Sequence, residues 1–513
     1  MTANKLKIFP WHTILFSLYP ILALAAVNIH EINVKVVLRP LLLSLVGAIL
    51  LMTFLGLILK DGQIAGFVTS AYLILFYSYG HVYNLLHETK IVGILVGRNR
   101  ILAVIWLVVA IFLTWLIIKI GKYEWKYLLS KSLNVVSGLL VVLQLGSLLF
   151  FAYRLRQVDV NEANFDLSYS FNSDPVLPNT KPPDIYYIIL DAYGRSDVLQ
   201  SIYGVDNSSF IEQLKGLGFY VAQCSTSNYA QTELSLSSSL NFNYIQSLGL
   251  SSATPGNNAQ LIAFIKNSAV RRILEDLGYD TVAFATGYQW TEWENADHYL
   301  SPQGFWKLNE FENLVIRSSA GLLLLDSGLF NINEASIENI RGRTLFALDQ
   351  LGSLPPGSSP KFVFAHLVIP HIPFVFGPDG ESTLVGPLTS ERPYTWDEYK
   401  RGYGNQVQYI NSRIVDIVRN IIIGSEDPPI IIIQGDHGPG YSSNSDRMAI
   451  LNAYYLPRGN SYLYANISPV NTFRAIFNEY FNGNFDLLDD VGYFSRYNTP
   501  FEFEVIDNNC LTN

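Results

Sequence analysis

Between Ile101 and Ile118 the chain reads ILAVIWLVVAIFLTWLII, eighteen residues without a charge. A run of about this length crosses a bilayer as one helix, because the helix satisfies its own backbone polar groups and no side chain calls for water. Extended to Ile120, it is the fourth of five such runs before residue 155. The others are Trp11 to Ile29, Leu41 to Leu59, Ile64 to Leu86 and Leu133 to Tyr153. The third is interrupted by Tyr, Ser, Gly80 and His81. Trp11, Trp125 and Tyr153 lie near run ends, where interfacial aromatics belong. The first run follows MTANKLK without a small-residue cleavage site and so reads as a retained helix. The sequence therefore predicts an α-helical transmembrane bundle of five helices over residues 1–153.

Composition agrees with a chain that is part membrane protein. Hydrophobic residues make up 49% and charged residues 15%, against about 25% charged in soluble domains. The net charge of −9 and the lack of any Lys/Arg-rich block exclude a nucleic-acid partner. With the N-terminus inside, loop Lys and Arg number seven on each side, so the overall count sets no orientation. The densest basic segment, KIGKYEWKYLLSK, favours a cytoplasmic loop between the fourth and fifth runs, which places everything after residue 153 outside. Cys224 and Cys510 form no thiolate metal motif. They are either one disulfide in an oxidising compartment or two thiols.

Residues 154–182 are polar and proline-bearing and read as a linker. From 183 to 513 short β-rich runs alternate with helical segments. The runs are DIYYIIL (184–190), FYVAQCS (219–225), DTVAFATG (280–287), KFVFAHLVI (361–369) and PIIIIQG (429–435). This alternation predicts an α/β domain with a mostly parallel central sheet covered by helices. The unbroken isoleucines 430–433 predict a strand buried on both faces.

Such sheets bind ligands beyond the carboxyl ends of their strands, and polar residues gather there. Asp191 follows the first run and Thr232 lies just past the second. His366 and His371 come at the end of the fourth, and Asp436 and His437 end the fifth. Each has an ordinary reading as well: Asp191 as a turn or cap residue, Thr232 as a helix N-cap, His366 as a core histidine, His371 as a ring packed on a proline turn. Taken together, Asp191, Thr232, Asp436 and His437 offer three oxygens and one nitrogen to a single divalent metal, Zn²⁺ or Mn²⁺. A cation there lowers the pKa of the Thr232 hydroxyl and favours a nucleophile. His366 and His371 are then placed to bond phosphoryl oxygens or protonate a leaving group. Arg195 and Arg447 read either as phosphate contacts or as surface arginines.

A strand ending in an acid, a Thr opening a helix and a late strand ending in GDHG together resemble the alkaline phosphatase/sulfatase superfamily. QGDHGPG (434–440) carries the resemblance most strongly and HLVIPH (366–371) supports it. With five helices in front, the chain resembles lipoteichoic acid synthases and lipid A phosphoethanolamine transferases. That resemblance implies a phospholipid donor, a phospho-threonine on Thr232, and an envelope glycan, lipid or polymer acceptor at the outer face of the cytoplasmic membrane. It implies metal ligation by Asp191, Asp436 and His437 and substrate contact by His371 with His366. Three departures stand out. Cys224 is followed by STSN, without the Pro and Arg that precede formylglycine formation in sulfatases. No histidine follows His437, which argues for one metal. The stretch YQWTEWENADHYL (288–300) supplies Trp290 and Trp293, the latter a candidate substrate contact, but no Arg. Hydrolysis of phosphate or sulfate esters, and a non-catalytic role in envelope assembly, are the competing expectations.

Overall fold

The computed structural model describes residues 8–86, 89–91, 94–95, 99–120, 126–157, 182–250, 257–302, 308–326, 332–388 and 393–510. Most of the expected linker, 158–181, lies outside the described residues. The chain divides into two compact units. One is Met1–Tyr153 with Trp306–Ser336; the other is Arg154–Phe305 with Ile337–Asn513.

The first unit is helical: α1 (Trp11–Val27), α2 (Leu38–Leu59), α3 (Gly62–Leu86), α4 (Asn99–Ile120) and α5 (Lys126–Gln157). Among the described residues, three apolar segments are long enough to cross a membrane, Val34–Leu59, Asn99–Lys119 and Lys126–Arg156. At 17 residues α1 is shorter than the roughly 20 a span requires, and α3 buries the polar Gln63, Thr69 and Ser70. Helix contacts use small residues and hydroxyls. Thr13 Oγ1 donates to Gly66 O at 3.1 Å, and a Cβ on Gly66 would lie 2.7 Å from Pro10. Residues 306–336, read from the sequence as part of the catalytic domain, group with these helices. Their helix Glu310–Arg317 starts in an Asn309–Glu312 capping box, and Glu312 also pairs with Arg39. Phe311 buries among Ile21, Ala25, Ile32 and Val37.

The second unit holds a seven-stranded sheet. Its strands are β1 (Ile185–Leu190), β2 (Tyr220–Val221), β3 (Asp280–Phe284), β4 (His298–Leu300), β5 (Lys361–Leu367), β6 (Ile430–Gly435) and β7 (Asn452–Tyr455). Their spatial order is β2-β7-β6-β1-β5-β3-β4. The pairs from β6 through β4 are parallel, and β7 runs antiparallel to both its neighbours.

Strand alternation divides the core in two. Ile431 and Ile433 join Ile188, Leu190, Val363 and Ala365 on one face. Ile430 and Ile432 join Ile185, Tyr187, Phe362 and Phe364 on the other. Helix α7 (Trp396–Gly424) covers the first face with Tyr403, Val407, Ile410 and Ile414. Helices α6 (Thr232–Leu240) and α8 (Pro469–Tyr480) cover the second, through Leu236, Leu240, Phe473 and Phe477. Each isoleucine thus buries a full side chain, roughly 1.5–3 kcal/mol apiece, and no position in β6 needs a polar residue for solvent. Cys224 and Cys510 form a disulfide.

Candidate metal centre and nucleophile

Three adjacent parallel strands end in step. Gly435 of β6 pairs with Leu190 of β1, and Leu190 pairs with Leu367 of β5. The next residue after β1 is Asp191, and the next after β6 is Asp436, so the register alone sets the two carboxyls side by side. His366 sits one position back in β5, opposite Ile189. The turn after β6 is tight, because a Cβ on Gly435 would lie 2.4 Å from Tyr193 O.

Asp191, Asp436 and His437 each present a ligand atom, all within 4.8 Å of one another, and all three residues are buried. His437 Nε2 lies 3.7 Å from Asp191 Oδ1 and 3.6 Å from Asp436 Oδ2. The other ring nitrogen, Nδ1, is 2.8 Å from Gly438 O and donates to it, which leaves the Nε2 lone pair facing the carboxylates. Thr232 Oγ1 is 3.4 Å from that same Nε2. Gln231, and not Thr232, is the N-cap of α6, and it makes no side-chain cap bond. Thr232 is the first helical residue, so its hydroxyl is turned to the histidine and not spent on the helix end. Of the nearby serines, Ser237 donates to Leu261 O at 3.1 Å, while Ser235 Oγ is buried without a partner.

These residues fit a cation. Asp436 Oδ1 accepts from Ala192 N at 3.0 Å, but Oδ2 is buried with no hydrogen-bond partner, and so is Asp191 Oδ1. Two bare carboxylate oxygens in one buried site are costly unless a positive charge compensates them. Burial opposes ionisation of Asp191, yet His371, His366 and His437 around it hold its carboxyl well below the usual range. Burial, helped by Arg447, lowers the His437 imidazole, while Asp436 and Asp191 oppose that shift. Two anionic oxygens and a neutral imidazole nitrogen are what Zn²⁺ or Mn²⁺ accepts.

The other residues singled out from the sequence divide into two groups. His366 Nε2 lies 3.4 Å from Asp191 Oδ2, and the rings of His371 and His437 are 6.2 Å apart. Arg447 reaches the same place: Nη2 is 3.5 Å from His437 Nε2, and Nε donates to Ala230 O at 3.0 Å. Arg195 is engaged elsewhere. It donates to both carboxylate oxygens of Asp197, to Ser225 O and to Asn508 Oδ1, which uses four of its five N–H donors. Trp293 is fully buried, stacked on Phe364 at 4.4 Å, with the Arg271 guanidinium 5.1 Å from its ring. A side chain with no exposed surface touches no substrate unless the core opens.

One contact was not anticipated. Thr291 Oγ1 lies 3.1 Å from His366 Nδ1. Its only sequence signal was its place in the Trp-rich stretch 288–300.

A family model described as Sulfatase matches residues 183–473, more than half of the chain. Comparison with curated proteins finds no match. Similar solved structures include the C-terminal periplasmic domain of EptC from Escherichia coli in complex with Zn, at 14% identity and a TM-score of 0.41, covering 65% of this chain and 94% of that one. The integral membrane lipooligosaccharide phosphoethanolamine transferase A from Neisseria meningitidis aligns at 12% identity and a TM-score of 0.35, covering 87% and 88%. The lipoteichoic acid synthase LtaP from Listeria monocytogenes aligns at 14% and 0.39, covering 67% and 84%. The family match takes in all seven strands together with Asp191, Thr232, Asp436 and His437, and on it the chain belongs to the Sulfatase family and is an enzyme of the alkaline phosphatase/sulfatase superfamily.

Proposed function

We propose that this chain is a multi-pass enzyme of the cytoplasmic membrane that moves a phospholipid-derived phosphoryl headgroup, through phospho-Thr232, to an envelope glycan, lipid or polymer outside. In this reading five helices over 1–153 form the membrane domain, 154–182 the linker and 183–513 the catalytic domain. The observation that carries the chemistry is the Thr232 hydroxyl, hydrogen-bonded to His437 Nε2 at 3.4 Å at the first turn of α6.

Asp191, Asp436, His437 and Thr232 would hold one Zn²⁺ or Mn²⁺ ion, whose charge acidifies the Thr232 hydroxyl and offsets phosphoryl charge. Thr232 Oγ attacks the headgroup phosphorus and loses its proton, and the bond from phosphorus to the diacylglycerol oxygen breaks. His371, whose Nδ1–H donates to Ile372 O at 2.7 Å, offers a basic Nε2 that takes the Thr232 proton and passes it to the departing diacylglycerol oxygen. His366 and Arg447 face the phosphoryl oxygens, and the N-terminus of α6 favours their negative charge. An acceptor hydroxyl then attacks the phospho-threonine and restores Thr232. Arg195 and Trp293, as placed, support the fold around the site.

Hydrolysis, with water as acceptor, is the second reading, favoured by the Sulfatase match itself. Sulfate-ester chemistry through formylglycine lacks its precursor, since both cysteines are in the disulfide and no serine is followed by x-Pro-x-Arg. The disulfide also supports a catalytic domain on the oxidising side of the membrane.

Incubating the purified chain with phosphatidylglycerol or phosphatidylethanolamine vesicles tests the proposal. Intact-mass analysis is expected to show a headgroup phosphate adduct on Thr232, with diacylglycerol released. Release of the headgroup to water alone, with or without candidate acceptors present, supports the hydrolase. A chain that binds neither Zn²⁺ nor Mn²⁺ supports a non-catalytic role.

A further inference from the structure

The geometry points to Thr291, backed by Thr286, as the positioning residue that fixes the ring of His366, so that its Nε2 faces Asp191. This deepens the proposed function and rests on it for the role of His366. The observation itself stands on distances alone.

His366 is buried in the middle of the site wall. Its ring has two nitrogens and one rotatable position that matters: either can face Asp191. Nδ1 is 3.1 Å from Thr291 Oγ1, and Nε2 is 3.4 Å from Asp191 Oδ2. The direction of the first bond follows from Asp191. Its ionised carboxylate only accepts, so the Nε2 that faces it carries the ring proton, and Nδ1 accepts from the Thr291 hydroxyl. Thr291 Oγ1 in turn lies 2.9 Å from Thr286 Oγ1, which accepts from Tyr288 N at 3.2 Å. The two hydroxyls thus set one ring orientation and one tautomer, as the partner of a catalytic or ligating histidine does in other sites.

The threonines are themselves held. Glu292 is buried, and its carboxylate accepts from the backbone N–H groups of Thr286 and Gly287 and from the Tyr299 hydroxyl. Thr291 N donates to Tyr288 O at 3.2 Å. Gly287 has φ +87°, a conformation that favours glycine and lets the turn close. A turn fastened at both ends presents Thr291 to β5 across 75 residues of chain. Thr291 is fully buried, so its side chain has no solvent role to account for it.

The test uses the full chain in detergent or proteoliposomes, with Thr291→Val (same shape, no hydroxyl) and Thr291→Ser (hydroxyl kept). With phosphatidylglycerol vesicles, Thr291→Val is expected to lower kcat by about 10- to 100-fold, with KM little changed and full Zn²⁺ stoichiometry. Thr291→Ser is expected to recover most of that loss. Independently of activity, ¹⁵N-histidine spectra, with His366 assigned by its absence in His366→Gln, should show a fixed Nε2–H tautomer in wild type and Thr291→Ser. In Thr291→Val the signal should average between tautomers. Thr291→Val with wild-type kcat, or a serine variant no better than valine, overturns the proposal. So does a His366 tautomer indifferent to position 291. A wild-type chain inactive on every headgroup lipid refutes the transferase reading instead, and the histidine spectra still decide the role of Thr291.

Discussion

Thr232 Oγ1 and His437 Nε2 stand 3.4 Å apart, although 205 residues separate them in the chain. The contact joins the start of a helix to the end of the central strand. It sets the Thr232 hydroxyl against one of the three residues that could hold a cation. Thr232→Ala is therefore expected to abolish the phospho-adduct and cut headgroup turnover by at least about 10³-fold, while metal content stays near wild type through the other three ligands. Thr232→Ser should keep partial activity and carry the adduct on serine. Intact mass and diacylglycerol release measure both. A Thr232→Ala enzyme at full rate would remove Thr232 from the mechanism.

Metal retention should depend on pH in a defined direction. Burial and Arg447 lower the His437 pKa, against the pull of Asp436 and Asp191. Above about pH 6.5, the ordinary histidine value, folded and unfolded chains are both neutral at this position and stability does not change. As pH falls below that value, the unfolded chain takes up the proton first, so stability is lost and the ligand nitrogen is competed for. Asp191 is held well below the carboxylate range and stays ionised throughout this window. Zn²⁺ occupancy by mass spectrometry and melting temperature should be flat from about pH 8 to 7 and fall on the acid side. Loss of metal starting above pH 7 would contradict this.

Gly438 is predicted to tolerate no side chain. An added Cβ would lie 2.6 Å from Asp446 O, 2.7 Å from Ala449 O and 2.9 Å from Arg447 O, all backbone atoms that have little room to move. Gly438→Ala should cost about 1–3 kcal/mol of stability and weaken metal binding, because His437 moves with the loop. Thermal melts with and without Zn²⁺ separate the two effects. A variant with unchanged melting and metal affinity would show the loop to be softer than its packing suggests.

The disulfide is expected to act as a staple on the C-terminal segment. Asn508, two residues before Cys510, donates to Cys224 O at 2.7 Å and accepts from Arg195 at 3.1 Å. Cys224→Ser should cost about 2–4 kcal/mol. The double variant with Cys510→Ser should cost no more, because one bond is lost in either case. Equal melting temperatures for wild type with and without reductant would show the staple to be energetically idle.

The strand-end positions of the candidate ligands were legible because each follows a continuous apolar run, and such runs are hard to mistake for anything but buried parallel strands. Asp191, Asp436 and His437 needed only that inference and the rule about carboxyl ends. The support of His366 by Thr291 was not legible, since a threonine in a loop has dozens of uses and nothing local points 75 residues ahead. The burial of Trp293 depended on which face of β5 Phe364 occupies, a matter of register. The strands His298–Leu300 and Asn452–Tyr455 are three and four residues long, too short for alternation to be read. The grouping of 306–336 with the helices was hidden for a like reason. Its helices Glu310–Arg317 and Leu322–Asp326 are eight and five residues long, well under a membrane span.

The pairing of Gly435 with Leu190 has a consequence for how this chain tolerates change. In a pleated sheet one residue of slip moves a strand end by about 3.3 Å and turns every side chain to the opposite face. Such a slip between β1 and β6 would pull the two carboxylates out of reach of a common ion and exchange the two halves of the hydrophobic interior. The four isoleucines therefore work as a ruler. Substitutions among them that keep volume are expected to be harmless to the chemistry. A single insertion or deletion anywhere in residues 430–435, touching no ligand, would disarm the enzyme completely.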